Sequence, residues 1–71
     1  MTLSLGEDRV RIQFNPSANT KVDNIKQLSA ELINLCADER GSKGNEVDRL
    51  WSLAMTAYEE AAMWAVKAAT A

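Results

Sequence analysis

No histidine occurs anywhere in the chain. That absence removes Ser-His-Asp and Cys-His relays, together with the usual imidazole zinc sites. Cysteine is limited to Cys36, which excludes an internal disulfide or a thiolate metal cluster and fits a reducing compartment. On an apolar helical pattern, Cys36 reads as a small buried hydrophobe. Glycine is scarce, and Gly41 and Gly44 are wrongly placed for a phosphate-cradling loop between a strand and a helix. No apolar run approaches the ~20 residues needed to cross a bilayer. The opening MTLSLGEDRV has no basic stretch followed by an apolar one, so it does not read as a secretory signal, and a cytosolic protein is expected. The net charge of −2 argues against generic binding to DNA or RNA, whose phosphates select strongly basic surfaces. Glu59 and Glu60 are adjacent, but neighbours on a helix point apart and do not form a carboxylate dyad within one chain. No catalytic centre, cofactor or metal site is therefore expected, and binding is the activity left.

What the chain does have is a long helical stretch at its end. Residues 45–69 run without Gly or Pro and are rich in helix formers. Val47, Leu50, Trp51, Ala54, Tyr58, Ala61, Ala65 and Ala68 recur every three or four residues and predict one packing seam. Leu53, Met55, Ala57, Ala62, Met63, Trp64 and Val66 lie off that seam, so this helix needs cover from several sides. A first helix is predicted over residues 20–39, capped by Asn19 or by Thr20 with Asp23, and a seam of Val22, Ile25, Leu28 or Ser29, Leu32 and Cys36 follows, with Leu35 beside it. Residues 40–44 supply a polar, glycine-containing loop, and Asn45 with Asp48 caps the second helix.

The expectation is an all-α single domain, 1–71, in which two helices form an antiparallel hairpin. At 1.5 Å per residue the second helix is about 37 Å long and the first about 27 Å, so one apolar end overhangs. A chain this small draws only about 3–5 kcal/mol from a single core, and self-association is the common remedy. A homo-oligomer is therefore expected. Residues 1–19 read as an arm and a turn. Within the arm, Arg9 to Phe14 alternates polar with apolar residues, the period of a short extended segment with Val10, Ile12 and Phe14 on one face. Asn15 and Pro16 open the turn.

Four bases, Arg9, Arg11, Lys21 and Lys26, face three acids in residues 1–30, whereas residues 31–71 hold four bases against seven acids. A small anion would be met by the N-terminal half. Phe14-Asn15-Pro16, with Arg9, Arg11 and Lys26, forms the most suggestive group. An aromatic ring can stack on a base for about 1–3 kcal/mol while a base-bearing side chain neutralises phosphate. The alternative is that Phe14 closes the hairpin core and Lys26 is solvated. Trp51 and Trp64 are interface residues or base platforms. Lys67 favours the helix dipole or makes an inward phosphate contact near a symmetry axis, with Thr70 as its companion.

These residues also carry a resemblance. Phe14-Asn-Pro-Ser-Ala-Asn-x-x-Val-Asp-x-Ile-Lys26, Ala30-Glu-Leu-Ile, and Glu59-Glu60-Ala-Ala-Met-Trp-Ala-Val-Lys67-Ala-Ala-Thr70 resemble the helical-hairpin domain of phage proteins that sequester cyclic-nucleotide immune signals. These are the anti-CBASS cyclic-oligonucleotide sponges and the related anti-Thoeris sponges. The resemblance spans roughly residues 9–70. It implies a hexamer, a trimer of dimers in the host cytoplasm. Cyclic dinucleotides or cyclic ADP-ribose isomers would lie between protomers, and cyclic trinucleotides in separate threefold pockets. The ligand is held and not cleaved.

By position, the stacking residue and the phosphate-binding base of the family look like Phe14 and Lys26, and the threefold-pocket base looks like Lys67. Phenylalanine in place of a more polar aromatic loses a hydroxyl contact, which bears on ligand preference. Arg9 and Arg11 are added on electrostatic grounds. Anti-Thoeris relatives carry additional sequence, so the compact chain favours the cyclic-oligonucleotide reading. The contrasting function is a structural or protein-interaction helical oligomer with no nucleotide ligand, and a nucleotide hydrolase is a third, which would return altered product.

Overall fold

The computed structural model describes residues 2–14, 19–41 and 44–71. Three helices follow in order: α1 (Leu5–Arg9), α2 (Thr20–Glu39) and α3 (Glu46–Ala69), with no strand among the described residues. α2 and α3 run antiparallel. Asn19, at the start of α2, donates its side-chain amide to the Ala69 carbonyl at the end of α3 (3.3 Å), and Arg40, just past α2, reaches Ser52 near the start of α3 (3.2 Å).

The long helices begin at asparagines whose side-chain oxygens satisfy amides that have no partner within a helix. Asn19 accepts from the amides of Lys21 and Val22, and Asn45 from that of Asp48. The connection between them is tied by Asp48, whose two carboxylate oxygens accept from Gly41 and Gly44. Gly44 sits at φ +56, where a residue without Cβ is at ease.

The expected extended arm is replaced by a helix and a tight turn. Ser4 and Glu7 form a reciprocal capping box, each side chain bonding the other's amide (3.1 and 2.9 Å). Past Arg9, the Ile12 amide bonds the Glu7 carbonyl and the Arg11 amide bonds the Asp8 carbonyl. This paired closure is a Schellman motif, and its left-handed position is filled by Arg11 at φ +55. The alternating pattern from Arg9 to Phe14 therefore reflects a turn. Val10 is buried, Ile12 half-buried and Phe14 exposed.

α1 lies against α2 at Gly6. The Gly6 amide donates to Asn34 Oδ1 (2.7 Å), and Asn34 Nδ2 donates to Ser4 Oγ (3.1 Å). A Cβ on Gly6 would fall 2.1 Å from the Ala30 carbonyl oxygen, so only glycine permits this approach. With α1 docked here, Val22 and Cys36 of the expected α2 seam are buried and Ile25 packs partly against the core, but the middle of the buried face is turned from the leucines. Val22, Lys26, Ala30, Ile33 and Cys36 are buried, while Leu28, Leu32 and Leu35 are left exposed.

A similar shift occurs on α3. Met55 and Ala62, expected off the seam, are its buried residues, with Trp51, Ala54 and Tyr58 packed partly against the core. Val47, Ala61 and Ala68 face outward. The core joins Val10, Ala30, Ile33, Cys36, Met55 and Ala62. The molecule measures 41 × 28 × 12 Å, so it is a slab about one helix thick. Among the described residues, no helix is long and apolar enough to cross a membrane.

Candidate binding site

Three of the basic residues singled out in the sequence converge. Arg9 at the end of α1, Arg11 in the turn after it and Lys26 on α2 line one cavity of about 420 Å³. Thr56, Glu59 and Glu60 of α3 close its other side, and Val10, Ala62, Met63 and Val66 supply apolar surface. The volume lies within the range of small-molecule sites, and an apolar lining with a few convergent polar groups is their usual make-up.

Each cation is held differently. Arg9 Nε donates to Glu59 Oε1 at 2.6 Å, and its Nη2 to Thr56 Oγ1 at 3.4 Å. With Nε committed, the outer edge of the guanidinium keeps donors for an anion. Arg11 lays its guanidinium over the Phe14 ring, 4.4 Å from the centroid. Lys26 is 5% exposed, which sets aside the alternative of a solvated side chain. Its Nζ donates to the carbonyls of Arg11 (2.8 Å) and Phe14, and it lies 5.4 Å from the Phe14 centroid. Burial lowers the Lys26 pKa below its ordinary value, the Arg11 charge lowers it further, and Asp23 opposes both. Lys26 thus ties α2 to the turn that presents Arg11 and Phe14.

Phe14 does not line the main cavity. It is 55% exposed and borders a second, open depression with Leu3, Asp8, Ile12 and Gln13, and Arg11 is common to both hollows. An exposed ring with cations beside it is available for stacking. Asn15 and Pro16 lie outside the described residues. Lys67 and Thr70 are not part of either hollow. Lys67 Nζ sits 5.5 Å from the Trp64 ring, and the Thr70 hydroxyl donates to the Val66 carbonyl at 2.9 Å, closing the end of α3.

Sequence reasoning missed the α3 wall of Thr56, Glu59, Glu60 and Met63, and the Gly6–Asn34 contact that positions α1. The Arg9–Glu59 pair joins residues 50 apart in the chain, and no local pattern announces it. The Ser4-x-x-Glu7 spacing was a usable signal for α1.

No curated protein and no solved structure matches the chain. A family model described as Acb2/Tad1, hairpin domain, matches residues 7–70, which takes in α2, α3, the end of α1 with Arg9, and the turn bearing Arg11 and Phe14. That family is associated with sponge-type binding of signalling molecules and joins the anti-CBASS and anti-Thoeris proteins that the FNP, IK and EEAAMWAVKAAT segments resemble. With nearly the whole chain inside the match and a hairpin of two long helices at its centre, this protein belongs to the Acb2/Tad1 hairpin-domain family.

Proposed function

We propose that the protein captures cyclic oligonucleotide second messengers and holds them uncleaved, so that a CBASS-type antiphage signal does not reach its receptor in the host cytoplasm. The supporting observation is the convergence of Arg9, Arg11 and Lys26 on one cavity that also offers apolar surface. A cyclic nucleotide presents that combination, since its ring of phosphates is anionic and its bases are flat and poorly solvated. Arg9 and Arg11 are the phosphate contacts, Phe14 is the stacking ring at the edge, and Asn15 and Pro16 follow it in the chain. Lys26 acts at the same place, by holding the turn and by lending charge. Lys67 and Thr70 belong to a second site, for cyclic trinucleotides, formed where copies of α3 meet in a hexameric trimer of dimers. Cyclic ADP-ribose isomers belong to the same chemical class as the dinucleotides.

Capture at nanomolar levels requires about −12 kcal/mol of binding free energy. Charge-assisted hydrogen bonds on a preorganised frame are the means of reaching it. The test is calorimetry against a panel of cyclic dinucleotides, cyclic trinucleotides and cyclic ADP-ribose isomers, followed by heat denaturation and chromatography of what is released. Intact ligand returned in stoichiometric amount is the expected result. Absence of binding at micromolar concentration would instead favour a helical interaction module, and altered product would indicate a hydrolase.

A further inference from the structure

An anion-binding cavity with carboxylates in its wall needs an explanation, because a negative charge there opposes the phosphates it is meant to attract. Glu59 is accounted for by its ion pair with Arg9. Glu60 is not. It lines the same cavity, is exposed, and among the described residues has no ion pair and only a long contact from Trp64 Nε1 at 3.4 Å. Met63 follows it by three positions and Thr56 precedes it by four, so the three share a strip of α3. Met63 is 59% exposed, and its thioether is a soft surface suited to a flat ring.

We propose that Glu60 reads the base of the captured ring and selects guanine. The inference rests on the cyclic-nucleotide reading of this cavity. An ionised carboxylate only accepts hydrogen bonds, through two oxygens side by side. Guanine sets an N1–H and a 2-amino group next to each other, and this pair of parallel donors meets both oxygens. Adenine sets its 6-amino group beside the N1 lone pair, and cytosine its 4-amino group beside the N3 lone pair, so one carboxylate oxygen would face an acceptor. Uracil flanks its single N3–H with two carbonyls. With phosphates at Arg9 and Arg11 and the base on Met63, Glu60 stands where the donor edge arrives.

A good bidentate pair discriminates between bases by roughly tenfold or more. Calorimetry of the wild-type protein with cyclic di-GMP and cyclic di-AMP, repeated on Glu60→Gln and on Glu31→Gln, tests this. Glu31 is exposed on α2 and does not line the cavity, so its variant removes the same charge elsewhere. The expected result is at least about a tenfold preference for cyclic di-GMP in the wild type and in Glu31→Gln. In Glu60→Gln the two affinities should converge, with cyclic di-AMP bound as well as before or better. Equal wild-type affinities, a preference for adenine, or a guanine preference that survives Glu60→Gln would each overturn the assignment while leaving capture itself standing. Binding of neither ring would overturn the assignment as well, and binding to no member of the wider panel of cyclic nucleotides would overturn capture itself.

Discussion

Lys26 shows how much one side chain organises here. Its ammonium bonds two carbonyls of the turn after α1, and its stem is buried beside Ala30 and Val22. Lys26→Ala leaves those carbonyls without their charged donor, which costs about 2–3 kcal/mol. At fixed protein concentration, thermal unfolding should fall by roughly 10 °C or more for a chain of this size. An unchanged midpoint would mean that the lysine is not a structural tie. Arg11 makes the complementary case. It occupies a left-handed position that glycine fills at lower cost, and backbone strain of this kind collects at binding sites. Arg11→Gly should gain up to about 1 kcal/mol in chemical denaturation while weakening dinucleotide binding; a loss in both would show that the guanidinium on Phe14 matters more to the fold than the strain does. Neither role was legible beforehand. A lysine on a helix reads as a phosphate contact or a solvated side chain, not as a buried tie to backbone carbonyls, and a turn of alternating polarity has the same period as a strand.

At the scale of elements, α2 and α3 were legible as helices because each is long, periodic and begins at an asparagine cap. Their buried faces were not, since both helices carry more than one apolar stripe and only the docking of α1 decides which is covered. α1 itself has five residues, too few for periodicity to register or for a helix to persist alone. It depends on the capping box, on the Gly6–Asn34 contact and on Arg9–Glu59. Gly6→Ala should lift α1 from α2, because the new methyl meets backbone that cannot give way cheaply. Hydrogen exchange would then show protection lost over residues 5–14 and kept in α2 and α3, with ligand affinity reduced through the displaced Arg9 and Arg11. Retained protection over residues 5–14 would mean that α1 is anchored elsewhere. Acid acts on the same element. The Ser4 amide and hydroxyl lower the Glu7 pKa below its ordinary 4.5. A depressed carboxylate contributes stability that is full above the unfolded value and lost as pH falls through the folded one. Glu7→Gln should therefore flatten the pH dependence of α1 protection below about pH 4.5, and an identical profile in both proteins would exclude the capping box as its source.

The whole molecule is a slab whose one face is partly covered by α1, and the apolar side chains left over decide how it lives in solution. Leu28, Leu32 and Leu35 on α2, with Val47, Leu50 and Leu53 on α3, are each 41% exposed or more. Leu28, Leu32 and Leu35 follow each other by four and three positions, so they make one stripe, which α1 does not occupy. A monomer rarely leaves that much contiguous apolar surface to water, and burying it returns about 25 cal/mol for each Å² covered. The reading of the protein as an oligomer is thus carried by the same rotation of α2 that buries Lys26, since turning the lysine and Ala30 inward turns the leucines out. Leu32→Glu sets a charge in the middle of the stripe without touching the core of the single chain. Light scattering at low micromolar concentration should give a mass several times 7.8 kDa for the wild type and a shift toward 7.8 kDa for Leu32→Glu, with helical circular dichroism retained. If trinucleotide affinity falls with the mass while dinucleotide contacts through Arg9 and Arg11 persist in weakened form, the threefold site exists only in the assembly. A wild-type chain that scatters as 7.8 kDa would leave Lys67 and Thr70 without the neighbouring copies their proposed role requires.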